Sequence, residues 1–286
     1  MTDPIERVLV LTHSRADVSS PVLDEVLARL AARGIAVLVP PSEWGKHSAL
    51  LDTYSNVKLS TEAGELREVG LCLVLGGDGT MLRAFHITRD LVVPVAGINL
   101  GRVGFLTTLK RDDLAVGLDR LLDGDFVVHT FQGLEAASPT STFTAANDIV
   151  VSKGDQSHLC SLSLAINGVT LFEMLCDGVV AASAAGSSAY SLAAGGPLLG
   201  IDVQAYVISL IAPHSIGVRP IVAAPGDVFE VTNAATDQEV FIDVDGQRLA
   251  ILAPQATLKI RMGGPSALLA LLEGDSLYLH FRDRLL

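Results

Sequence analysis

The chain has 286 residues, 49% of them hydrophobic, and a formal net charge of −12. That length holds two domains with cores of their own, and the apolar content excludes disorder as a bulk property. The negative charge argues against nucleic acid or an anionic membrane surface as partner, since both are polyanions. A small phosphate-bearing ligand remains compatible, because it needs only local N–H groups, a few basic side chains or a metal ion. No apolar run reaches the ~18 residues of a membrane span. The start, MTDPIERVLVLTH, has no basic leader, so no signal peptide is expected. Cys72, Cys160 and Cys176 are too few and too scattered for a disulfide framework or a zinc knuckle. They read as small buried hydrophobes of a protein in the reducing cytoplasm.

The first third alternates strand and helix signals. Residues 7–11 (RVLVL) form an apolar strand. Ser20-Pro21 then offers an N-cap and a first-turn proline, with Leu23, Val26, Leu27 and Leu30 at helical spacing before Gly34 ends the helix. Residues 35–39, 71–75 and part of 91–98 supply further strands, while Trp44 and the Gly45-Lys46-His47 region read as a loop between the early strands. Strands spaced by helices predict a parallel, doubly wound α/β sheet. After about residue 125 the texture changes. Asn167-Gly168 and Asp245-Gly246 each sit between strand-like runs and predict tight hairpins. More strand signals lie at 207–211, 228–232 and 257–260. The expected organisation is an α/β domain over 1–125, a β-rich antiparallel domain over 126–265, and a segment 266–286 that returns to the first domain.

Gly76-Gly77-Asp78-Gly79-Thr80 follows the fully apolar strand 71–75 and precedes a helical stretch. It therefore occupies a strand-to-helix turn at the carboxyl end of a parallel strand, where α/β sheets bind ligands. Glycines let a backbone approach a ligand closely, and the helix start turns N–H groups toward an anion. Asp78 is out of place in a pure anion cradle. A carboxylate there suits a group that accepts a proton from an attacking hydroxyl or helps hold Mg²⁺, although it also suits a plain turn with a cap. The P-loop signature and the Gly-x-Gly-x-x-Gly fingerprint are both missing.

Two further groups follow. Asn147-Asp148, just before an apolar run, offers an amide and a carboxylate suited to ribose or adenine, or to a simple turn. Asp177 leads into a run of small residues from 181 to 196, broken by Tyr190 and Leu192. A helix starting near Ser188 would aim its N-terminus at a ligand, and Tyr190 would stack on a base or hydrogen-bond a ribose. Small residues pack tightly for purely structural reasons as well.

In this order the three groups resemble the NAD kinase family. The resemblance extends to residues 97–106 (GINLGRVGFL), Pro213-His214-Ser215, Arg219-Pro220-Ile221 and Val244-Asp245-Gly246-Gln247. It implies that NAD is bound between an N-terminal α/β domain and a β-rich C-terminal domain in a homodimer or homotetramer. It also implies that Asp78 deprotonates the adenosine ribose 2′-hydroxyl, which attacks the γ-phosphate of ATP (or the end of polyphosphate) with Mg²⁺ present. By the same resemblance Gly79 is a backbone contact and Arg83 lies near phosphates. Asn147, Asp148 and Asp177 hold NAD. His158, Ser188, Ala189, Tyr190, Ser191, Leu192, Ala193 and Gln247 line the dinucleotide site.

The chain departs from the family pattern in places. Residues 183–190 read SAAGSSAY where TPTGSTAY is usual, Asp148 replaces a usual Glu, and His158 and Leu175 stand where basic residues are common. Two other readings compete. A membrane-acting lipid or sugar kinase can also carry GGDGT, but the chain has no basic amphipathic helix. A non-catalytic dinucleotide sensor would suit the altered 183–188 loop but leaves Asp78 without a purpose.

Overall fold

The computed structural model describes residues 5–62, 64–101, 104–154, 159–200, 202–215 and 217–285. The chain divides into two compact units, one comprising Met1–Thr130 with Ala267–Leu286 and the other Phe131–Ser266.

In the first unit the elements run β1 (Arg7–Thr12), α1 (Ala16–Ala32), β2 (Ala36–Val39), α2 (Pro41–Leu51), β3 (Val57–Leu59), β4 (Leu71–Leu75), α3 (Asp78–Thr88), β5 (Val95–Asn99), β6 (Leu109–Lys110) and α4 (Leu114–Leu122). The strands lie in the order β3-β2-β1-β4-β5 and pair in parallel. They are buried because helices cover them, and so they read as continuous apolar runs. The strand order reverses between β1 and β4, which makes the carboxyl ends of those two strands the switch point of the sheet.

Three local readings are corrected. First, α1 begins at Ala16, so Pro21 lies inside the helix. Pro21 forfeits a bond to one carbonyl near the helix start, and the buried stripe of Val22, Leu23, Val26, Leu27 and Leu30 outweighs that loss. Second, the segment around Trp44 and His47 is helical. Pro41 at the first helical position starts α2, and Trp44, Leu50 and Leu51 pack on the first unit's core. Third, the short strand β3, too brief to stand out in sequence, pairs with β2. The helix stop at Gly34 is where the sequence placed it, with φ of 67°.

The second unit continues with β7 (Phe126–Ala137), β8 (Thr142–Ala145), β9 (Asp148–Lys153), β10 (Cys160–Ile166), β11 (Val169–Cys176), β12 (Gly178–Ala182), α5 (Tyr190–Ala193), β13 (Tyr206–Ile211), β14 (Ile221–Ala223), β15 (Phe229–Asn233), β16 (Val240–Val244), β17 (Gln247–Leu252) and β18 (Thr257–Leu272). The strand β7 starts in the first unit, and β18 ends there, with Leu269 beside Val95 in a parallel pairing. A final helix, α6 (Leu277–Leu285), follows. One antiparallel sheet orders its strands β14-β13-β12-β9-β16-β17, and β11, β10, β15 and the start of β18 form another. Their alternating inward residues share one core, including Leu162, Val231 and Ile260 from one sheet and Ile149, Ala181 and Ile242 from the other. Both expected hairpins form. Asn167-Gly168 and Asp245-Gly246 all take positive φ, as a two-residue turn between twisted strands requires. The three cysteines are buried and unlinked.

Candidate active site

In the first unit, a cavity of about 490 Å³ opens at the switch point. Its walls come from the ends of three strands: His13 and Ser14 after β1, Gly76, Gly77, Gly79 and Thr80 after β4, and Asn99, Leu100 and Gly101 at β5, with Arg83 and Val18 from the helices. Glycine is required at 76 because a Cβ there would run into the Thr80 side chain. Asp78 is the first residue of α3, and its carboxylate reaches the loop that follows β5. Phe105 N–H donates to Oδ2 and Leu106 N–H to Oδ1, each at 3.0 Å. A Cβ at Gly104 would overlap Oδ1, so only glycine lets this loop close over the carboxylate. A carboxylate oxygen can accept two hydrogen bonds, and these amides take one at each. They therefore orient the group.

Arg83, one turn along α3, lines the same cavity. Its Nη2 donates to Thr12 O at 2.8 Å and to Glu43 Oε1 at 2.5 Å. Sequence reasoning did not find Glu43, nor the cavity-lining His13 and Asn99. Their signal was positional: each stands on or beside a strand end whose place in the sheet only the strand order reveals.

In the second unit, the residues at 146–148, 183–188 and 245–247 come together. Asp245, at positive φ in its hairpin, accepts N–H donors from Ala146, Asn147 and Asp148 at 2.7–3.0 Å. Ser183 Oγ donates to Ala146 O at 2.6 Å and accepts from Gly186 N–H at 3.2 Å, while Gly186 lies directly on the Asn147 backbone. Thus the Ser183 hydroxyl bridges the backbone at Ala146 and Gly186. Asn147 Oδ1 is buried and has no hydrogen-bond partner among the described residues. Burial, and then the nearby Asp245 carboxylate, push the Asp148 carboxyl up to about 7. Gln247 follows the turn, exposed, at the start of β17.

Other expected site residues are placed differently. Asp177 does not join Asn147 and Asp148. It adjoins Gly178 at the far end of the β9–β12 pairing, in which Asp148 faces Ala182. That is about 17 Å of strand away. Its Oδ1 lies 2.5 Å from Lys153 Nζ. The helix expected near Ser188 is short and starts two residues later. Gly186–Ser188 is one 3₁₀ turn, and α5 spans only Tyr190–Ala193 before Gly195 and Gly196. So many glycines and serines hold a longer helix poorly, and no helix dipole of consequence points from it. Ser188 Oγ donates to Ala185 O, Ser191 pairs with Ser209 at 3.1 Å, and Tyr190 is half-exposed, with Ala189, Leu192 and Ala193 around it in this turn. His158 lies outside the described residues.

A carboxylate framed by glycines at the switch point of a doubly wound sheet defines a nucleotide-handling α/β protein, here joined to an antiparallel β unit. Residues 8–126 match the ATP-NAD kinase N-terminal domain and residues 146–271 the ATP-NAD kinase C-terminal domain. An NAD kinase of Symbiobacterium thermophilum is 33% identical over 92% of each chain. One of Desulforamulus reducens is 37% identical over 84% of this chain and 82% of its own. Among solved structures, yeast NADH kinase complexed with NADH aligns with a TM-score of 0.86 at 21% identity, covering 99% of this chain and 88% of its own. An NAD kinase from Archaeoglobus fulgidus in complex with ATP gives 0.74 at 24%, covering 98% and 99%. The chain belongs to the NAD kinase family.

Proposed function

We propose that this phosphotransferase moves the γ-phosphoryl group of ATP to the 2′-hydroxyl of the adenosine ribose of NAD, giving NADP. The observation that carries the reading is Asp78, a carboxylate held by two amides between the glycines of a switch-point cavity. Asp78 takes the proton of the 2′-hydroxyl as the oxygen attacks. Gly76, Gly77 and Gly79 let the phosphate chain approach the backbone, and the Arg83 guanidinium faces its charge. Phosphoryl transfer asks a protein mostly for positioning and charge neutralisation. In the second unit Asn147, with its unpartnered Oδ1, and Asp148 suit the hydroxyls and amino group of an adenosine. Ser188 to Ala193 and Gln247 extend that surface.

Among the described residues no three His, Cys, Asp or Glu side chains gather as a metal cage. Mg²⁺ enters as part of the metal–ATP substrate, where it neutralises phosphate charge, the usual habit of this ion. Asp78 is the carboxylate beside the cavity suited to reach it.

Asp177, remote from Asn147 in its own chain, fits an oligomer whose second copy completes the dinucleotide site. Val169, Leu171 and Leu175 give β11 an exposed apolar face for such an association. The three unlinked cysteines favour the cytoplasm.

The test is NADP formation by purified protein with NAD, ATP and Mg²⁺. Asp78→Asn should lower turnover by about 10²–10⁴-fold and leave NAD binding intact, and excess EDTA should abolish activity. No NADP from the wild type, with NAD still bound, would return the sensor reading. Full activity of the Asn variant would remove Asp78 from the mechanism.

A further inference from the structure

Beneath the switch-point cavity lies a buried carboxylate that the chemistry above does not use. Glu43, on α2, is 1% exposed. Its Oε2 accepts from Thr12 N–H at 3.1 Å, from Thr12 Oγ1 at 2.5 Å and from Lys46 Nζ at 2.8 Å. Its Oε1 takes Arg83 Nη2. Lys46 in turn donates to the carbonyls of Thr12 and His13 at 3.2 and 3.0 Å. One carboxylate thereby ties the carboxyl end of β1, the helix α2 and the helix α3 into a single knot. Two members of that knot's surroundings, His13 and Arg83, face the cavity.

A buried ion pair is by itself weak evidence of anything but an old compromise between desolvation and attraction. This one has more specific geometry. Both bonds of Arg83 leave from Nη2, one to Glu43 and one to Thr12 O. A planar guanidinium held by one nitrogen has a fixed orientation, and its remaining N–H groups keep a set direction. The charges of Glu43, Lys46 and Arg83 sum to +1, so the knot holds the guanidinium without cancelling the positive potential an anion needs. We infer that Glu43 is a positioning residue for the phosphate donor: it holds Arg83 and the His13 end of β1 in the geometry that receives a polyphosphate chain. The inference rests on the reading of this cavity as the phosphate site.

A double-mutant cycle on the full chain tests both levels separately. Steady-state KM for ATP, KM for NAD, kcat and melting temperature are measured for Glu43→Gln, Arg83→Ala and the double variant. Arg83→Ala should raise KM for ATP by about tenfold or more, the worth of one charge-assisted hydrogen bond, with KM for NAD little changed. Glu43→Gln should produce most of that rise, and the double variant should be no worse than Arg83→Ala alone. Glu43→Asp, which keeps the charge but retracts it by one methylene, should fall between wild type and Gln. If Glu43→Gln does not fold, Glu43→Asp replaces it in the cycle. Effects of Glu43 and Arg83 that simply multiply would overturn the inference, as would a lowered melting temperature with KM for ATP unmoved. An unchanged KM in Arg83→Ala would overturn the phosphate-site reading itself, and the positioning role with it.

Discussion

Asp148 permits a quantitative test in solution. Its carboxyl stands at about 7 against an ordinary 3.8, chiefly because it is buried and secondarily because Asp245 is near. A group whose folded value is raised binds a proton more tightly in the folded chain than in the unfolded one. Its contribution to stability is therefore fully present below about 4 and is lost as pH rises to 7. The whole interval corresponds to about 4 kcal/mol, at about 1.4 kcal/mol per pH unit. Asp148→Asn, which resembles the neutral acid in shape, carries no such dependence. The variant should thus gain on the wild type by that slope between pH 4.5 and 7, and the gap should level off above. In melting temperature the gap widens by about 3 °C per pH unit for a chain of this size. Thermal melts of both proteins without ligand, at half-unit steps from pH 4.5 to 8.5, measure it, and titrating groups that do not interact with Asp148 cancel in the difference. Two melting curves that stay parallel across that range would refute the argument.

Three other outcomes follow from single contacts. Gly104→Ala places a methyl group where Asp78 Oδ1 lies, so kcat should fall by about tenfold or more with NAD affinity unchanged; an unaltered kcat would show that the loop amides do not orient the base. Burial, and then Lys46, lower the His47 pKa, with Glu43 opposing. The contribution of His47 to stability should therefore fall as pH drops below 6.5, where the unfolded imidazole protonates first, and His47→Gln should gain on the wild type below that pH in urea titrations. Leu171→Asp with Leu175→Asp should shift the species seen by light scattering toward monomer; an unchanged mass would place any association elsewhere.

Much of the fold was legible because its signals are local. The apolar stripe of α1, the fully apolar β4 and the two hairpins each depend on residues within a few positions of one another. The errors arose where distant packing prevailed. Pro21 looked like a helix start, and the Trp44–His47 stretch looked like a loop, because the partners that bury α1 and α2 lie elsewhere in sequence. The small-residue run builds less helix than its length suggests, one 3₁₀ turn and the four residues of α5, since several of its hydroxyls bond to neighbouring backbone groups.

The chain's own order of residues thus determined the family, the two-part architecture and the place of Asp78 at a strand-to-helix turn, all of which depend on neighbours in sequence. Only the tertiary structure decided that His13, Arg83 and Asn99 share a cavity, that Glu43 lies buried beneath it, and that Asp177 stands a strand's length from Asn147. Those facts follow from strand order and register, which depend on which surfaces bury one another across the whole chain.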